Sequence, residues 1–160
     1  MIVLDSCVWI HAFLATDERC ISIVKNVLAG KLKPLVSSYI AKEVVDNVIY
    51  ECKKKGYDPD RFQTAVWSIF REPFVETTFT SLDFEQVILA DIRSRPEYCA
   101  LAKALGIEPK DAPIIVLAYQ YAAPLVTMDE RSLLRIRDKI KQSVNVEMLT
   151  VDELLTIYPI

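Results

Sequence analysis

The chain opens with Met1-Ile2-Val3-Leu4-Asp5, an apolar run that ends at a carboxylate. A strand with apolar side chains on both faces is typical of a parallel sheet that helices cover on both sides. The run Pro34-Leu35-Val36 repeats the pattern, and sequence with helical periodicity follows both runs. The opening stretch therefore predicts the first, buried strand of an α/β fold.

Strand-like and helix-like segments alternate along the rest of the chain. The predicted strands cover residues 1–4, 34–36, 74–79, 124–128 and 146–149. The predicted helices after the second strand begin at Ser37 or Ser38, Asp58-Pro59, Ser81, Pro96, Ala112, Glu130 and the capping box that starts at Thr150. This order predicts one domain over residues 1–160, a three-layer α/β/α sandwich with a mainly parallel, roughly five-stranded sheet.

Composition limits the classes of protein to which the chain can belong. Of its 160 residues 52% are hydrophobic, yet no apolar stretch reaches the ~20 residues of a membrane-spanning helix. The four cysteines are scattered without a CxxC pair, which argues against zinc sites and disulfide frameworks. We therefore expect a soluble, cytoplasmic protein with no membrane partner.

Charge and rare residue types exclude further classes. A net charge of −3 and a pI near 5.3 argue against a basic coat for unspecific nucleic-acid binding. The only glycines are Gly30, Gly56 and Gly106, so no glycine-rich phosphate-binding loop can be written. The single histidine, His11, lies one helical turn after Cys7 with no orienting third group, and we interpret it as an ordinary helix residue.

Four acidic residues stand at positions that the predicted fold brings together. Asp5 and Asp129 directly follow the first and fourth strands, at the carboxyl edge of the sheet. Glu43 lies at the edge of an apolar helix stripe, and Asp111 begins the helix that leads into the fourth strand. Singly, Asp111 is better explained as an N-cap and Glu43 as a boundary carboxylate. Together, acids without a matched basic partner would repel one another, and Mg²⁺ or Mn²⁺ is the natural counter-ion.

Short blocks around these acids resemble the successive motifs of PIN-domain nucleases. The blocks are Ile2-Val3-Leu4-Asp5-Ser6, Glu43 after a serine-capped helix start, Lys110-Asp111-Ala112-Pro113-Ile114 with Leu117-Ala118, and Leu125-Val126-Thr127-Met128-Asp129. Each block is short, but their order and their positions relative to the strands cover essentially the whole chain.

The resemblance implies a function and a set of site residues. Asp5, Glu43, Asp111 and Asp129 would form an acidic site for Mg²⁺ or Mn²⁺, with Ser6 and Thr127 as neighbouring hydroxyls. Members of the family cleave single-stranded RNA. Many small members are VapC-like toxins, which dimerise and are silenced by a cognate antitoxin. The resemblance thus implies a metal-dependent ribonuclease, and possible toxin-antitoxin pairing.

Some positions depart from the family pattern and keep other functions open. Cys7 stands two residues after Asp5, where Asn or Ser is expected, and Glu130 follows Asp129 where many toxins have a further aspartate nearby. The interval from Phe79 to Asp111 holds two predicted helices, more than a minimal toxin needs. One alternative is a catalytically weak PIN-like module that binds RNA or protein. Another is a phosphatase with Asp5 as nucleophile, although Cys7 replaces its second aspartate.

Three further expectations concern assembly, substrate contact and charge. The apolar runs Trp67-Ser68-Ile69-Phe70 and Val87-Ile88-Leu89 predict a homodimer, with a well-filled core as the alternative. The predicted basic helix of residues 130–141 starts beside the acids, so some of its arginines, Arg131, Arg135 and Arg137, are expected to contact the RNA backbone. Repulsion among the acids should raise the pKa of at least one of them.

Overall fold

A computed structural model describes residues 1–159. Within that range the strands form one five-stranded sheet in the order β3-β2-β1-β4-β5, and every neighbouring pair is parallel. The strands are β1 (Ile2–Leu4), β2 (Pro34–Val36), β3 (Glu76–Thr77), β4 (Leu125–Val126) and β5 (Met148–Leu149). The parallel five-stranded sheet predicted from the sequence is confirmed.

Helices cover both faces of the sheet and complete a three-layer α/β/α sandwich. The helices of the first half are α1 (Ser6–Phe13), α2 (Glu18–Leu28), α3 (Ser38–Lys55) and α4 (Pro59–Phe70). Those of the second half are α5 (Ser81–Gln86), α6 (Leu89–Arg93), α7 (Pro96–Leu105), α8 (Ala112–Gln120), α9 (Arg137–Val144) and α10 (Val151–Ile157). Short 3-10 turns cover Pro109–Asp111 and Leu134–Ile136. Helix α1 packs on α2 and α3, whereas α7 packs on α8 and α9.

The predicted helix caps are present where local chemistry fixes them. The Ser37 hydroxyl accepts a hydrogen bond from the Ile40 amide, and Gly56 ends α3 at a φ of +73°. The Asp58 carboxylate caps α4, with Pro59 at its first position. Thr150 starts the predicted capping box of α10.

The predicted elements differ from the structure in several places. The strand predicted at 124–128 covers only Leu125–Val126, so Asp129 lies three residues beyond its end instead of directly after it, and the strand predicted at 146–149 covers only Met148–Leu149.

The strand at 74–79 shrinks to Glu76–Thr77, because the amide of Val75 closes a turn on the carbonyl of Glu72. The helix expected from Ser81 to Pro96 is interrupted at Val87 and Ile88, which have extended backbone, and forms the separate helices α5 and α6. Apolar residues continue through this break, so periodicity alone did not reveal it.

The predicted start of the basic helix at Glu130 is also wrong. Residues 130–133 form a turn and the α-helix begins only at Arg137. The Asp129 side chain accepts the Ser132 amide at 2.9 Å, and the Asp129 carbonyl accepts the Leu134 amide at 2.9 Å. Such local bonds compete with the helical pattern, so the chain turns before α9 starts.

One apolar core fills the space between the sheet and its helices. Its largest fully buried side chain is Trp9 in α1, whose ring meets that of Phe70 edge-on with centroids 5.1 Å apart. Burying a phenylalanine side chain such as that of Phe70 contributes about 1.5–3 kcal/mol. In the part of the chain that the structure describes, no helix has the length and apolar character needed to cross a membrane.

Candidate active site

The candidate site lies where the order of the strands reverses. From β1 the chain builds the sheet outward through β2 and β3 on one side, and then returns to place β4 and β5 on the other side of β1. In open parallel sheets, ligands bind beyond the carboxyl ends of the strands at such a point. Asp5 directly follows β1, and Thr127 directly follows β4. These two residues therefore mark the position of the site.

Asp5 is a buried carboxylate that several side chains hold by hydrogen bonds. It is 6% exposed, and its backbone amide donates to the Val126 carbonyl at 2.9 Å, which fixes it between β1 and β4. Thr127 Oγ1 donates to Asp5 Oδ2 at 2.6 Å, Cys7 Sγ donates to the same oxygen at 3.3 Å, and Ser6 Oγ donates to Oδ1 at 3.3 Å. These donors offset part of the free energy lost by burying the charge.

A chain of hydrogen bonds links Asp5 to two of the other acids. The Thr127 hydroxyl that donates to Asp5 also accepts the backbone amide of Asp129 at 3.0 Å. Asp129 Oδ1 in turn accepts the amide of Ser132, whose hydroxyl donates to Asp111 Oδ2 at 3.4 Å. Asp5, Asp129 and Asp111 are thus joined through two hydroxyl side chains.

Glu43 lies in the second turn of α3, is 7% exposed, and is paired with an arginine. Arg93 Nη2 donates to Glu43 Oε1 at 2.8 Å. The other oxygen, Oε2, is buried and has no hydrogen-bond partner within residues 1–159. The expectation that the acids lack a matched basic partner is therefore wrong for Glu43, because Arg93 supplies one from α6.

Two of the four acids have raised pKa values. Burial is the main cause of the rise in the pKa of Asp111 to about 6, and the negative charge of Asp5 and then that of Asp129 contribute further. The pKa of Glu43 is also raised, chiefly by burial, although the hydrogen bond from Arg93 and the nearby Ser6 hydroxyl act in the opposite direction. The sequence-based expectation of a raised carboxyl pKa agrees with both residues, but burial outweighs the expected repulsion.

Cys7 and His11 do not form a nucleophilic pair. Burial raises the pKa of the Cys7 thiol well above its usual range, so the thiol stays neutral and acts as a donor to Asp5. His11 Nδ1 instead lies 2.7 Å from the Thr16 hydroxyl. Cys7 therefore supplies the hydrogen bond for which Asn or Ser was expected, and His11 is an ordinary residue of α1.

Sequence reasoning missed Ser132 and Arg93, which donate hydrogen bonds to the acids, and Tyr39, which binds Arg93. Ser132 follows Asp129 by three positions, a spacing at which an aspartate often binds a later amide, so a signal for it existed. Arg93 gave no such signal, because it meets Glu43 only through the packing of α6 on α3. Tyr39 precedes Glu43 by one helical turn, but its link to the site, through Arg93 and the Lys110 carbonyl, depends on tertiary packing. The N-cap explanation of Asp111 is not supported, since its side chain makes no capping hydrogen bond to α8.

The donor atoms fit a hard cation, but they do not form a ready-made cage. The four acids and their neighbouring hydroxyls present only oxygen, which Mg²⁺ and Mn²⁺ prefer. Glu43 Oε2 is an orphaned buried oxygen of the kind that a cation would satisfy. Among residues 1–159, however, no three His, Cys, Asp or Glu side chains lie close enough together to hold a metal ion.

Some residues of the surfaces expected to bind RNA or a second copy of the chain already make contacts within the chain. Arg137 pairs with Glu153 at 3.1 Å, whereas Arg131 and Arg135 are exposed and make no ion pair in the described range. Phe70 is buried in the core, so the apolar run at 67–70 is not a free face. Ile88, at 58% exposure, is the most exposed residue of the second run.

The fold is an α/β sandwich with buried carboxylates at the point where its strand order reverses. The family model of the PIN domain matches residues 2–139, and the chain belongs to the PIN-domain family, whose fold is of the nuclease type. A comparison with curated proteins finds no match to the chain.

Proposed function

We propose that this protein is a metal-dependent ribonuclease that hydrolyses phosphodiester bonds of single-stranded RNA. The observation that carries the proposal is the hydrogen-bonded series from Asp5 through Thr127, Asp129 and Ser132 to Asp111, at the carboxyl ends of β1 and β4. Membership of the PIN-domain family supports the reaction class, since PIN nucleases typically act on RNA.

Asp5, Glu43, Asp111 and Asp129 are the residues that would hold Mg²⁺ or Mn²⁺. Mg²⁺ usually keeps several waters and is bound by one or two carboxylates together with substrate phosphates, so a site with fewer than three converged ligands suits it. When bound, such a cation activates water and stabilises charge on the scissile phosphate and the leaving oxygen. Asp5, Glu43, Asp111 and Asp129 would provide the carboxylate ligands for this role.

The chain's own side chains then have distinct tasks. Asp5 and Asp129, fixed to neighbouring strand ends, are our first choice as direct ligands. Thr127 and Ser6 orient the Asp5 carboxylate by hydrogen bonds. Asp111 is a ligand or a support for the others, and Glu43 is a ligand or accepts the proton of the attacking water through Oε2.

The direct test is cleavage of single-stranded RNA by the purified protein with Mn²⁺ or Mg²⁺. We expect cleavage that requires the metal and is lost in Asp5→Asn, which retains the shape of the side chain but removes its charge. A protein that cleaves no single-stranded RNA beyond the level of Asp5→Asn with either metal would refute the proposal.

A second candidate function is that of a catalytically weak module that binds RNA or protein. It is favoured by the Arg93–Glu43 ion pair, which already neutralises one acid, and by the absence of three converged ligands within residues 1–159. Tight RNA binding without wild-type-specific cleavage would favour this function. A phosphatase that uses Asp5 as nucleophile is disfavoured, because Asp5 is buried and accepts three side-chain hydrogen bonds.

We further propose that the protein is the toxin of a toxin-antitoxin pair and that it forms a homodimer. Induced expression of a toxin should arrest growth, Asp5→Asn should not, and co-expression of a cognate antitoxin should restore growth. Growth arrest by Asp5→Asn as well would contradict a ribonuclease toxin. Light scattering tests the homodimer, and a monomer mass at tens of micromolar would refute it.

A further inference from the structure

Arg93 in α6 contacts two residues of α3 at once. Its Nη2 donates to Glu43 Oε1 at 2.8 Å, and its Nε donates to the hydroxyl of Tyr39 at 2.9 Å. Its guanidinium carbon also lies 5.8 Å from the centroid of the Tyr39 ring. Tyr39 and Glu43 are four residues apart, on the same face of the helix, so one planar guanidinium can bind both.

The contacts of Arg93 continue to the segment that carries Asp111. The Tyr39 hydroxyl donates to the Lys110 carbonyl at 2.8 Å, directly before Asp111. Arg93 therefore joins Glu43, through Tyr39, to the 3-10 turn Pro109–Asp111. Two of the four acids, which come from different elements, are tied to each other by this relay.

The ion pair leaves half of the Glu43 carboxylate without a partner. Arg93 uses only Oε1, whereas Oε2 is buried and accepts no hydrogen bond within residues 1–159. A buried polar atom without a partner is unfavourable unless a ligand satisfies it. Arginine–carboxylate pairs are frequently bidentate, whereas Arg93 directs its Nε to Tyr39 and so binds Glu43 through Nη2 and Oε1 alone.

We propose that Arg93 is a positioning residue of the metal site, which holds Glu43 by Oε1 so that Oε2 is available to the cation. Tyr39 extends this positioning to Asp111 through the Lys110 carbonyl. The inference rests on the proposed function, because it assigns Arg93 to the same metal site. Carboxylates that bind metals are commonly hydrogen-bonded by such supporting groups, and loss of one typically weakens metal binding about 10–100-fold.

The opposite possibility is that Arg93 competes with the cation for Glu43. Two positive charges near one carboxylate repel each other, so a competing arginine would lower metal affinity. Its removal would then tighten Mn²⁺ binding. The two possibilities predict changes of opposite sign, and the sign can be measured without any RNA.

The test is the dissociation constant of Mn²⁺ by calorimetry, with the electron paramagnetic resonance spectrum of bound Mn²⁺ as a second readout. We expect Arg93→Met to weaken binding by about 10–100-fold and to alter the spectrum. Arg93→Lys should restore part of the affinity, because lysine can reach Glu43 but cannot also hold Tyr39 with a planar fork. Tyr39→Phe should weaken binding less than Arg93→Met.

Arg95→Met is the matched control for loss of a nearby positive charge. Arg95 is exposed two residues beyond Arg93 and makes no ion pair in the described range, so its removal should leave the Mn²⁺ affinity unchanged. A general electrostatic effect would appear in both variants. The positioning effect should appear only in Arg93→Met.

A double-mutant comparison covers the case in which Arg93→Met does not fold, since that change leaves a buried carboxylate without its cation. In a Glu43→Gln background, Arg93→Met should cause a much smaller loss of Mn²⁺ affinity, because the carboxylate that Arg93 holds directly is already gone and only its link to Asp111 through Tyr39 remains. An equal loss in both backgrounds would overturn the inference. Mn²⁺ binding by Arg93→Met that equals or exceeds that of the wild type would also overturn it, while leaving the metal site intact. Failure of the wild type to bind Mn²⁺ would overturn the metal site itself and this inference with it.

Discussion

The two ends of the sheet satisfy buried polar groups in different ways. At the amino end, the neutral side chain of Asn26 is 2% exposed and donates to the Tyr158 carbonyl at 2.9 Å. At the carboxyl end lie the other buried polar or charged residues of the described range, Asp5, Glu43, Asp111 and Thr127. At that end Ser132 donates hydrogen bonds to both Asp129 and Asp111, whereas Glu43 Oε2 has no hydrogen-bond donor among the described residues.

The difference supports the proposal that the carboxyl end is a binding site and that the Asn26 contact is structural. A buried amide with a backbone partner contributes to stability and needs nothing further. Buried carboxylates that share a few hydroxyl donors lower stability unless something else compensates their charge. The carboxyl end therefore has the properties expected of a binding site and the amino end those of a structural contact, and the first two predictions below compare the two ends.

The largest expected difference is in catalysis. Asp5→Asn should reduce metal-dependent cleavage of single-stranded RNA by at least about 100-fold, the scale on which loss of a group that stabilises the transition state acts. Glu147→Gln is the control, because Glu147 is exposed just before β5, at the amino end of the sheet. Equal activity of the two variants would remove the functional distinction between the ends.

The second comparison uses one buried hydrogen-bonding residue from each end. Thr127→Val and Asn26→Ala should each lower the free energy of unfolding by about 1–3 kcal/mol, because each leaves a buried group without its partner. Only Thr127→Val should also reduce the rise in melting temperature that Mn²⁺ causes, since Thr127 orients Asp5 and Asp129. Thr127→Ser, which keeps the hydroxyl, should retain most of that rise. A smaller Mn²⁺ effect in Asn26→Ala would contradict the assignment of the amino end.

The third prediction concerns the pH dependence of the metal-free protein. The pKa of Asp111 is raised to about 6 in the folded state, so the folded state binds more protons than the unfolded state between the ordinary pKa of 3.8 and 6. The contribution of Asp111 to stability is greatest below pH 3.8 and is lost as the pH rises through 6. Allowing for solvent screening, the loss should be about 1–2 kcal/mol. Chemical denaturation of the wild type and of Asp111→Asn from pH 4 to pH 7.5 measures it, and identical pH profiles would show that Asp111 has an ordinary pKa.

The smallest expected effect is on the electrostatic contact with RNA. Arg131 and Arg135 are exposed and unpaired in the described range, whereas Arg137 pairs with Glu153. The double change of Arg131 and Arg135 to alanine should reduce the slope of log affinity against log salt by about 2, or 1 for each phosphate contact. Arg137→Ala should change the slope less. Binding of an RNA oligonucleotide to the Asp5→Asn protein at several salt concentrations provides the data, and an unchanged slope would mean that this segment is only a solvated surface.

The sequence predicted those features that depend on local patterns. The apolar runs that end at Asp5 and near Asp129 placed two acids at the carboxyl edge, and the caps at Ser37, Asp58 and Thr150 placed three helices. The parallel sheet followed from the alternation of strands and helices.

Features that depend on contacts between distant residues were not predictable. Arg93 is 50 residues from Glu43 and lies in a five-residue helix, too short to show a periodic pattern. The turn after Asp129 is local, but its hydrogen bonds compete with a sequence that also suits a helix. Burial, which dominates the raised pKa values of Glu43 and Asp111, results from tertiary packing and so could not be read from spacing.

The central claim is that Asp129 shares one cation site with Asp5, Glu43 and Asp111, and thermal melts of Asp129→Asn test it most directly. The charge of Asp129 is one cause of the raised pKa of Asp111, and asparagine can still accept the Ser132 amide. At neutral pH the account predicts that Asp129→Asn melts above the wild type without metal, and that Mn²⁺ raises its melting temperature less than that of the wild type. A variant that is neutral or mildly destabilised, with the same Mn²⁺-induced rise as the wild type, would contradict the shared site.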